Sequence, residues 1–329
     1  MLRQVSAAHE SWPLATPFRI SRGVKTVAEV VAVEIVQDGV RGRGEAVPYA
    51  RYGETVESVL QQLSDITPAL AAGMTREALQ LAMPAGAARN AVDCALWDLQ
   101  ARLSRQPVHT QLGHGALPAV TSALTIGIDS IDAMHAAALK ICNAPLIKVK
   151  VDAHDPEAQL RAVRRAAPRA KLIVDPNESW NLAILSALQP LMIELKVDLI
   201  EQPLPASEDE VLEGFTPLRP ICADESCHTA EDLPQLLRRY QAINIKLDKT
   251  GGLTEALVLL RQAQFAGLQI MSGCMICSSL GIAPAFHIAR HAAFVDLDGP
   301  LWLKQDHVGG SVLDQQGLLV APSGALWGL

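Results

Sequence analysis

Apolar runs in the middle third of the chain each end in a polar cluster. LIKVK closes on Lys148 and Lys150, LIVDPN on Asp175, VDLIEQP on Glu201, PICADES on Asp224 and INIKLD on Lys246. From Lys150 onward these charges are spaced by 25, 26, 23 and 22 residues, and Ala/Leu/Arg-rich stretches of helical period fill the gaps. One strand plus one helix per interval is a βα unit. Repeated units with Val/Ile/Leu-rich strands predict a parallel sheet covered by helices, either an open doubly wound sheet or a closed (β/α)8 barrel. Both architectures put the active site at the C-terminal strand ends, where these charges fall.

Flanking segments complete the count. AVTSALTIG at 119–127 supplies a first strand, LQIMSGCM at 268–275 a seventh and AAFVDLDGP at 292–300 an eighth. The stretch after the eighth reads as loop and hairpin, so its helix is missing. The fold class is α/β: a (β/α)7β TIM-like barrel over 113–304 with an N-terminal α+β capping domain over 1–112, completed by the tail, about 305–329.

In the cap, EVVAVEIV at 29–36 alternates as a half-buried strand does and turns through Asp38-Gly39 into a second strand ending near Glu45. PFRISRGVKT at 17–26 carries Arg19, Arg22 and Lys25 around Gly23 and reads as a basic loop. A helical pattern runs from Glu54 to about Leu103, broken at Gly73 and Gly86, and its last segment stripes Val92, Ala95, Leu96, Leu99 and Leu103 along one face. The segment 106–118 reads as the linker into the barrel.

Composition narrows the function. At 329 residues and 49 % hydrophobic content both cores can be filled, and with only 4 % aromatic residues Ala, Leu and Val must fill them. A net charge of −7 with mixed signs leaves no basic stripe, which argues against a nucleic-acid partner. No signal core or membrane-length apolar run is present, so a cytoplasmic location is expected and no membrane partner. The assembly state stays open, a homo-oligomer among the options. Six cysteines, Cys94, Cys142, Cys222, Cys227, Cys274 and Cys277, do not suggest a disulfide framework, and the C-x-x-C at 274–277 has no second pair to complete a zinc site. They read as buried free thiols.

Asp175, Glu201 and Asp224 offer one carboxylate from each of three consecutive strands. Converging at a barrel mouth they repel unless a cation neutralises them, and an all-oxygen set suits Mg²⁺. The competing reading, that each acid caps the next helix, fits one position better than three in register. Lys148 and Lys150 share one face of a strand, here the interior, and Lys246 lies four strands round the ring from them. A lysine near a dication and a second ammonium has its neutral form favoured, and two lysines on opposite faces of one carbon can remove a proton and return it. Asp296 and Asp298 repeat the same-face spacing on the last strand and could take a cationic group.

These residues resemble the enolase superfamily and its muconate-lactonizing subgroup, through the K-x-K strand, the Asp/Glu/Asp set and the opposing lysine. The D-x-D narrows the resemblance to dipeptide epimerases. RYGE at 51–54, AGAARNAVDCALWDL at 85–99, ADESCHT at 223–229 and NIKLDKTGGLTEAL at 244–257 are similar to the L-Ala-D/L-Glu epimerases of bacterial murein-peptide metabolism. The resemblance implies Lys150 and Lys246 as acid/base catalysts and Lys148 as a stabiliser of a metal-stabilised enediolate. It implies Asp175, Glu201 and Asp224 as Mg²⁺ ligands and Asp296 and Asp298 as partners of the substrate ammonium. Arg22 would reach the glutamyl carboxylate, and Thr125 and the Cys274 backbone would line the pocket. Pro176 departs from the family pattern and implies a local adjustment around Asn177. Alternatives are a β-elimination or cycloisomerisation of a carboxylate, of the o-succinylbenzoate synthase or muconate cycloisomerase type, and a catalytically idle barrel used as a binding protein. The D-x-D disfavours the first, and the intact set disfavours the second.

Overall fold

A computed structural model describes residues 2–20 and 23–329. The cap opens with a three-stranded antiparallel sheet of β1 (Gln4–Ile20), β2 (Gly23–Gln37) and β3 (Val40–Ala46), in that order. The Asp38-Gly39 turn has φ of 53° and 75°, the left-handed pair that a tight hairpin needs. The basic stretch read as a loop at 17–26 is instead the ends of β1 and β2, paired as Phe18 with Lys25 and Ile20 with Gly23. Helices α1 (Val56–Ala71), α2 (Arg76–Ala82) and α3 (Ala87–Ser104) follow, and α4 (Val108–Gln111) lies within the segment read as linker.

Helix α3 is the seam between cap and barrel. Every residue from Ala87 to Leu99 is buried, so no polar face remains over that stretch. One side meets β3 so closely that a Cβ at Gly44 would lie 2.1 Å from the Ala91 carbonyl. On the other, Asn90 donates to Asp248 (2.8 Å), Arg89 to the Thr250 carbonyl (2.7 Å) and Thr254 to Asp93 (2.6 Å). Four residues of the predicted stripe are buried. Leu103 is not: it lies 39 % exposed in the last turn, beyond the edge of both layers.

The barrel strands are β4 (Leu124–Ile126), β5 (Leu146–Lys150), β6 (Lys171–Asp175), β7 (Leu199–Glu201), β8 (Ile221–Ala223), β9 (Ala242–Ile245), β10 (Gln269–Gly273) and β11 (Phe294–Asp296), all parallel and in sequence order. A parallel bridge from Ser122 to Val295 closes the ring. Between them run α5 (Ile131–Lys140), α6 (Pro156–Ala166), α7 (Leu182–Glu194), α8 (Leu233–Leu236), α9 (Leu247–Thr250), α10 (Leu253–Phe265), α11 (Ser279–Ile282) and α12 (Phe286–Ala289). A short hairpin of β12 (Val312–Leu313) and β13 (Leu319–Val320) begins the tail, which then returns to the cap, where Trp327 donates to the Cys94 carbonyl (3.1 Å) and Gly328 to Asp98 (2.7 Å).

Strand parity builds the site. Ala123, Leu146, Ile173, Leu199, Cys222, Ala242 and Met271, with Phe294 packed on them, plug the barrel with one residue from each strand or its lead-in. Because side chains alternate, the next inward positions lie two residues on. They are Thr125, Lys148, Asp175, Glu201, Asp224, Asn244, Gly273 and Asp296. One further step reaches Lys150, Lys246 and Asp298. The outward neighbours Ile147 and Val149 are fully buried under the helices, which locks the register of the lysine strand.

Candidate active site

The polar layers open into a cavity of about 760 Å³ between the barrel mouth and the cap. Lys148, Lys150, Asp224, Lys246, Asp296 and Asp298 line it from the barrel, with Thr125 and Cys274 at its edge and Lys25, Tyr49 and Arg51 facing them from the cap. Arg22 lies outside the described residues. The Lys25 ammonium stands 4.8 Å from the centre of the Tyr49 ring.

Lys148 is 1 % exposed and pairs with Glu201 (2.6 Å), Asp296 (2.7 Å) and Asp175 (3.1 Å). Burial alone would lower its pKa, but Asp296, Glu201 and Asp175 outweigh that and hold it well above the usual lysine value. Lys150 meets Asp175 at 2.5 Å. Across the ring Lys246 meets Asp224 at 2.7 Å, and against the pull of burial Asp224 raises its pKa. The expectation of a neutral lysine concerns a site with its dication in place; with protein groups alone, Lys148 and Lys246 are held charged by the carboxylates beside them. Each ammonium is answered by a carboxylate at hydrogen-bond distance.

Asp175, Glu201 and Asp224 are at most 2 % exposed. Burial pushes Asp175 up, but Lys150 and Lys148 prevail and bring it down to about 2. Asp224 lies well below the carboxylate range for the same reason, its burial overcome by Lys246 and Lys249. Glu201 goes the other way, to about 8, through burial and the charge of Asp175. The three carboxylates form a buried all-oxygen set at the ends of consecutive strands, Asp175 and Asp224 both repel charge on Glu201, and a hard dication would offset that repulsion. The residues present fit Mg²⁺ on that ground.

Several neighbours escaped the sequence reading. Asn244 donates to Glu201 (2.9 Å), and the Gln202 side chain accepts from the Asp224 amide (2.8 Å). Lys249, fully buried, donates to both Asp224 Oδ1 (2.6 Å) and the Asn244 carbonyl (3.0 Å). The NIKLDK wording held the signal for Asn244 and Lys249, since both flank Lys246 in one motif. The adjustment expected after Pro176 is a left-handed turn: Asn177 and Glu178 have φ of 46° and 68°, and the Asn177 amide donates to Asp175 Oδ1 at 2.8 Å.

Just past the last barrel strand Asp298 accepts from the Thr125 amide (2.8 Å) and the Trp302 indole (3.3 Å). Burial and the charge of Asp296 push it up to about 6. Asp296 Oδ1 is buried with no hydrogen-bond partner among the described residues, and the Asp296 carbonyl accepts from the Cys274 amide at 3.1 Å. All six cysteines are free thiols; Cys142 and Cys274 are only half-buried, unlike the other four.

Comparison with known proteins agrees with this geometry. Residues 132–328 match the enolase C-terminal domain-like family, and residues 2–113 match the mandelate racemase / muconate lactonizing enzyme N-terminal domain. The chain is 48 % identical to the L-Ala-D/L-Glu epimerase of Escherichia coli, over 93 % of this chain and 96 % of that one. It is 47 % identical to the N-acetyl-D-glutamate racemase of a Pseudoalteromonas species, over 84 % and 88 %. Among solved structures, an enolase family member from Agrobacterium tumefaciens, with homology to dipeptide epimerases and bound sodium and L-Ala-L-Glu, superposes at a TM-score of 0.96 with 48 % identity, covering 99 % of this chain and 100 % of that one. A dipeptide epimerase from Cytophaga hutchinsonii, complexed with Mg and D-Ala-L-Val, superposes at 0.91 with 27 % identity, over 98 % and 94 %. With both of its domains matched and a barrel mouth built of K-x-K, three strand-end carboxylates and an opposed lysine, the chain belongs to the mandelate racemase / muconate lactonizing branch of the enolase family.

Proposed function

We propose that the chain is a Mg²⁺-dependent dipeptide epimerase, acting on an L-Ala-D/L-Glu type dipeptide at the α-carbon of its C-terminal residue. One observation carries the reading: Lys150 and Lys246 face one cavity from strands four places apart in a ring of eight. An α-carbon held between them presents opposite faces to the two amines. Lys150 or Lys246, once neutral, takes the α-proton, and its counterpart returns one to the other face, which inverts the centre. Lys148 keeps an ammonium in the layer beneath them, where it offsets charge developing on the substrate carboxylate.

Asp175, Glu201 and Asp224 would hold the Mg²⁺, and when bound the ion would neutralise that carboxylate and acidify the adjacent α-proton. Asp296 and Asp298 would take the dipeptide's ammonium, and the unpartnered Asp296 Oδ1 supplies an acceptor for it. Lys25 and Arg22, from the cap, would meet the glutamyl carboxylate. In this division of labour residues 1–112 with the tail, about 305–329, select the substrate, and residues 113–304 carry the chemistry. Turnover of murein peptides in the cytoplasm suits such a substrate, and six free thiols suit a reducing compartment.

An N-acylated glutamate is the competing substrate, given the racemase among the relatives. It carries no ammonium, and the buried acid pair at the end of β11, Asp296 and Asp298, disfavours it. Proton NMR of L-Ala-L-Glu with enzyme and Mg²⁺ in D₂O tests the reading. Loss of the Glu α-proton together with appearance of the L,D diastereomer is expected. Turnover of N-acetylglutamate with no change in the dipeptide would refute it.

A further inference from the structure

The RYGE stretch takes no part in the chemistry above, yet it reaches from the cap to two carboxylate-bearing strand ends. Arg51 Nε and Nη2 donate to Glu178 Oε2 and Oε1, both at 2.7 Å. Glu178 Oε1 also accepts from the Ala206 amide at 2.8 Å, so one carboxylate ties the cap to the loops that follow β6 and β7. The Tyr52 ring meets His228, in the loop after β8, edge-on at 4.6 Å. The turn has its own anchor, because Glu54 accepts from the Tyr49 amide (3.1 Å) and from the Ala87 amide that opens α3 (2.7 Å).

What this turn grips is strained. Asn177 and Glu178 are consecutive non-glycine residues in the left-handed region, a conformation that surrounding contacts must hold in place. The same turn carries the Asn177 amide back onto Asp175 Oδ1 and its side chain toward Oδ2 at 3.3 Å. A two-point guanidinium–carboxylate contact fixes orientation as well as distance. We propose that Arg51 is a positioning residue for the metal site: by holding Glu178 it keeps the 176–178 turn wound, and the wound turn aims Asp175. The inference rests on the reading of Asp175 as a Mg²⁺ ligand.

Calorimetric titration of metal-stripped protein with Mg²⁺, on wild type, R51A, R51K, E178Q and D175N, tests it. Groups that orient metal ligands typically contribute 10- to 100-fold in affinity, so R51A and E178Q should each bind Mg²⁺ about 10- to 100-fold more weakly. A double variant combining R51A with E178Q should be no worse than either single, since one contact is lost in all three. R51K, able to make one point of contact, should fall between, and thermal melts should show every variant folded. If D175N loses Mg²⁺ while R51A and E178Q bind it as wild type does, the positioning role is wrong and the ligand reading stands. If D175N binds as wild type does, the ligand reading itself is wrong. A third outcome, in which R51A raises KM for L-Ala-L-Glu alone and spares both Mg²⁺ affinity and an uncharged dipeptide, would make Arg51 a direct contact of the substrate carboxylate and overturn the proposal.

Discussion

Glu45, at the end of β3, is 1 % exposed and accepts from the Ser278 amide (2.8 Å) and the Ser278 hydroxyl. No cation pairs with it among the described residues. Burial therefore dominates, and its pKa rises from 4.5 to about 8, with small additions from Glu10 and Asp248. Below pH 4.5 both folded and unfolded chains keep the proton and Glu45 has no effect on stability. Between 4.5 and about 8 the unfolded chain releases it and the folded chain retains it, so stability falls as pH rises. At about 1.36 kcal/mol per pH unit the full window is worth about 5 kcal/mol, of which about 3 is already expressed at pH 7.

Glu45→Gln replaces a group that must stay protonated with one that cannot ionise. The amide keeps an acceptor for the Ser278 N–H and offers a donor to its hydroxyl, which can accept. The variant should therefore match wild type near pH 5 and become progressively more stable, by about 3 kcal/mol near pH 7. Urea midpoints by circular dichroism at four pH values from about 5 to 8.5, with Mg²⁺ held constant, read the difference directly. Asp93 and Asp248, both pushed to about 6 by burial, titrate in both proteins and cancel. Parallel curves, with the variant uniformly weaker, would mean that Glu45 is ionised in the fold and that the burial argument fails.

Lys246→Met should slow epimerisation by about 10²- to 10⁴-fold, while the α-proton that faces Lys150 in one diastereomer still exchanges with D₂O. Equal loss of exchange from both diastereomers would contradict the two-wall geometry. Asp298, raised to about 6, becomes neutral below that pH, so KM for a dipeptide should climb as pH falls through 6 while kcat changes less. Asp298→Asn should show the high KM at every pH, and a variant that keeps the wild-type pH dependence would acquit Asp298. Gly44→Ala would place a methyl 2.1 Å from the Ala91 carbonyl and 2.8 Å from the Ala95 amide, forcing α3 off the sheet. We expect a loss of about 3 kcal/mol or more in thermal unfolding, and an unchanged melting temperature would show that the seam can shift freely.

The barrel and its charged layers were legible because a period-two pattern and burial reinforce one another. Ile147 and Val149 can only face the helices, which leaves Lys148 and Lys150 facing in. Where position depends on how the chain turns after a strand, the pattern is silent. Lys249 sits in the single turn of α9 and reaches Asp224 only because that turn folds back over the barrel mouth. Strand β1 was missed for another reason. Its sequence, QVSAAHESWPLATPFRI, carries Pro13 and Pro17 and buries none of its residues fully, so its apolar positions do not form the sustained alternation that marks a half-buried strand. It is an edge strand, where proline is tolerated, and its pairing is dictated by β2. Leu103 was misplaced because a helical stripe gives direction but not extent: the face is right, and the layers end one turn earlier.

The buried carboxylates divide by function, and their surroundings explain the division. At the seam Glu45, Asp93 and Asp248 receive mostly neutral donors: the Ser278, Thr254 and Val47 amides, two hydroxyls and the Asn90 side chain. Neutral donors satisfy hydrogen bonds without fully offsetting the loss of solvation, so all three rise. At the barrel mouth Asp175 and Asp224 meet lysines and fall. The first set docks the cap more firmly when protonated; the second is held in its charged form by the lysines beside it. Asp175 and Asp224 thus keep their charge beside lysines, and the cap is fastened by acids whose hydrogen-bond partners are neutral.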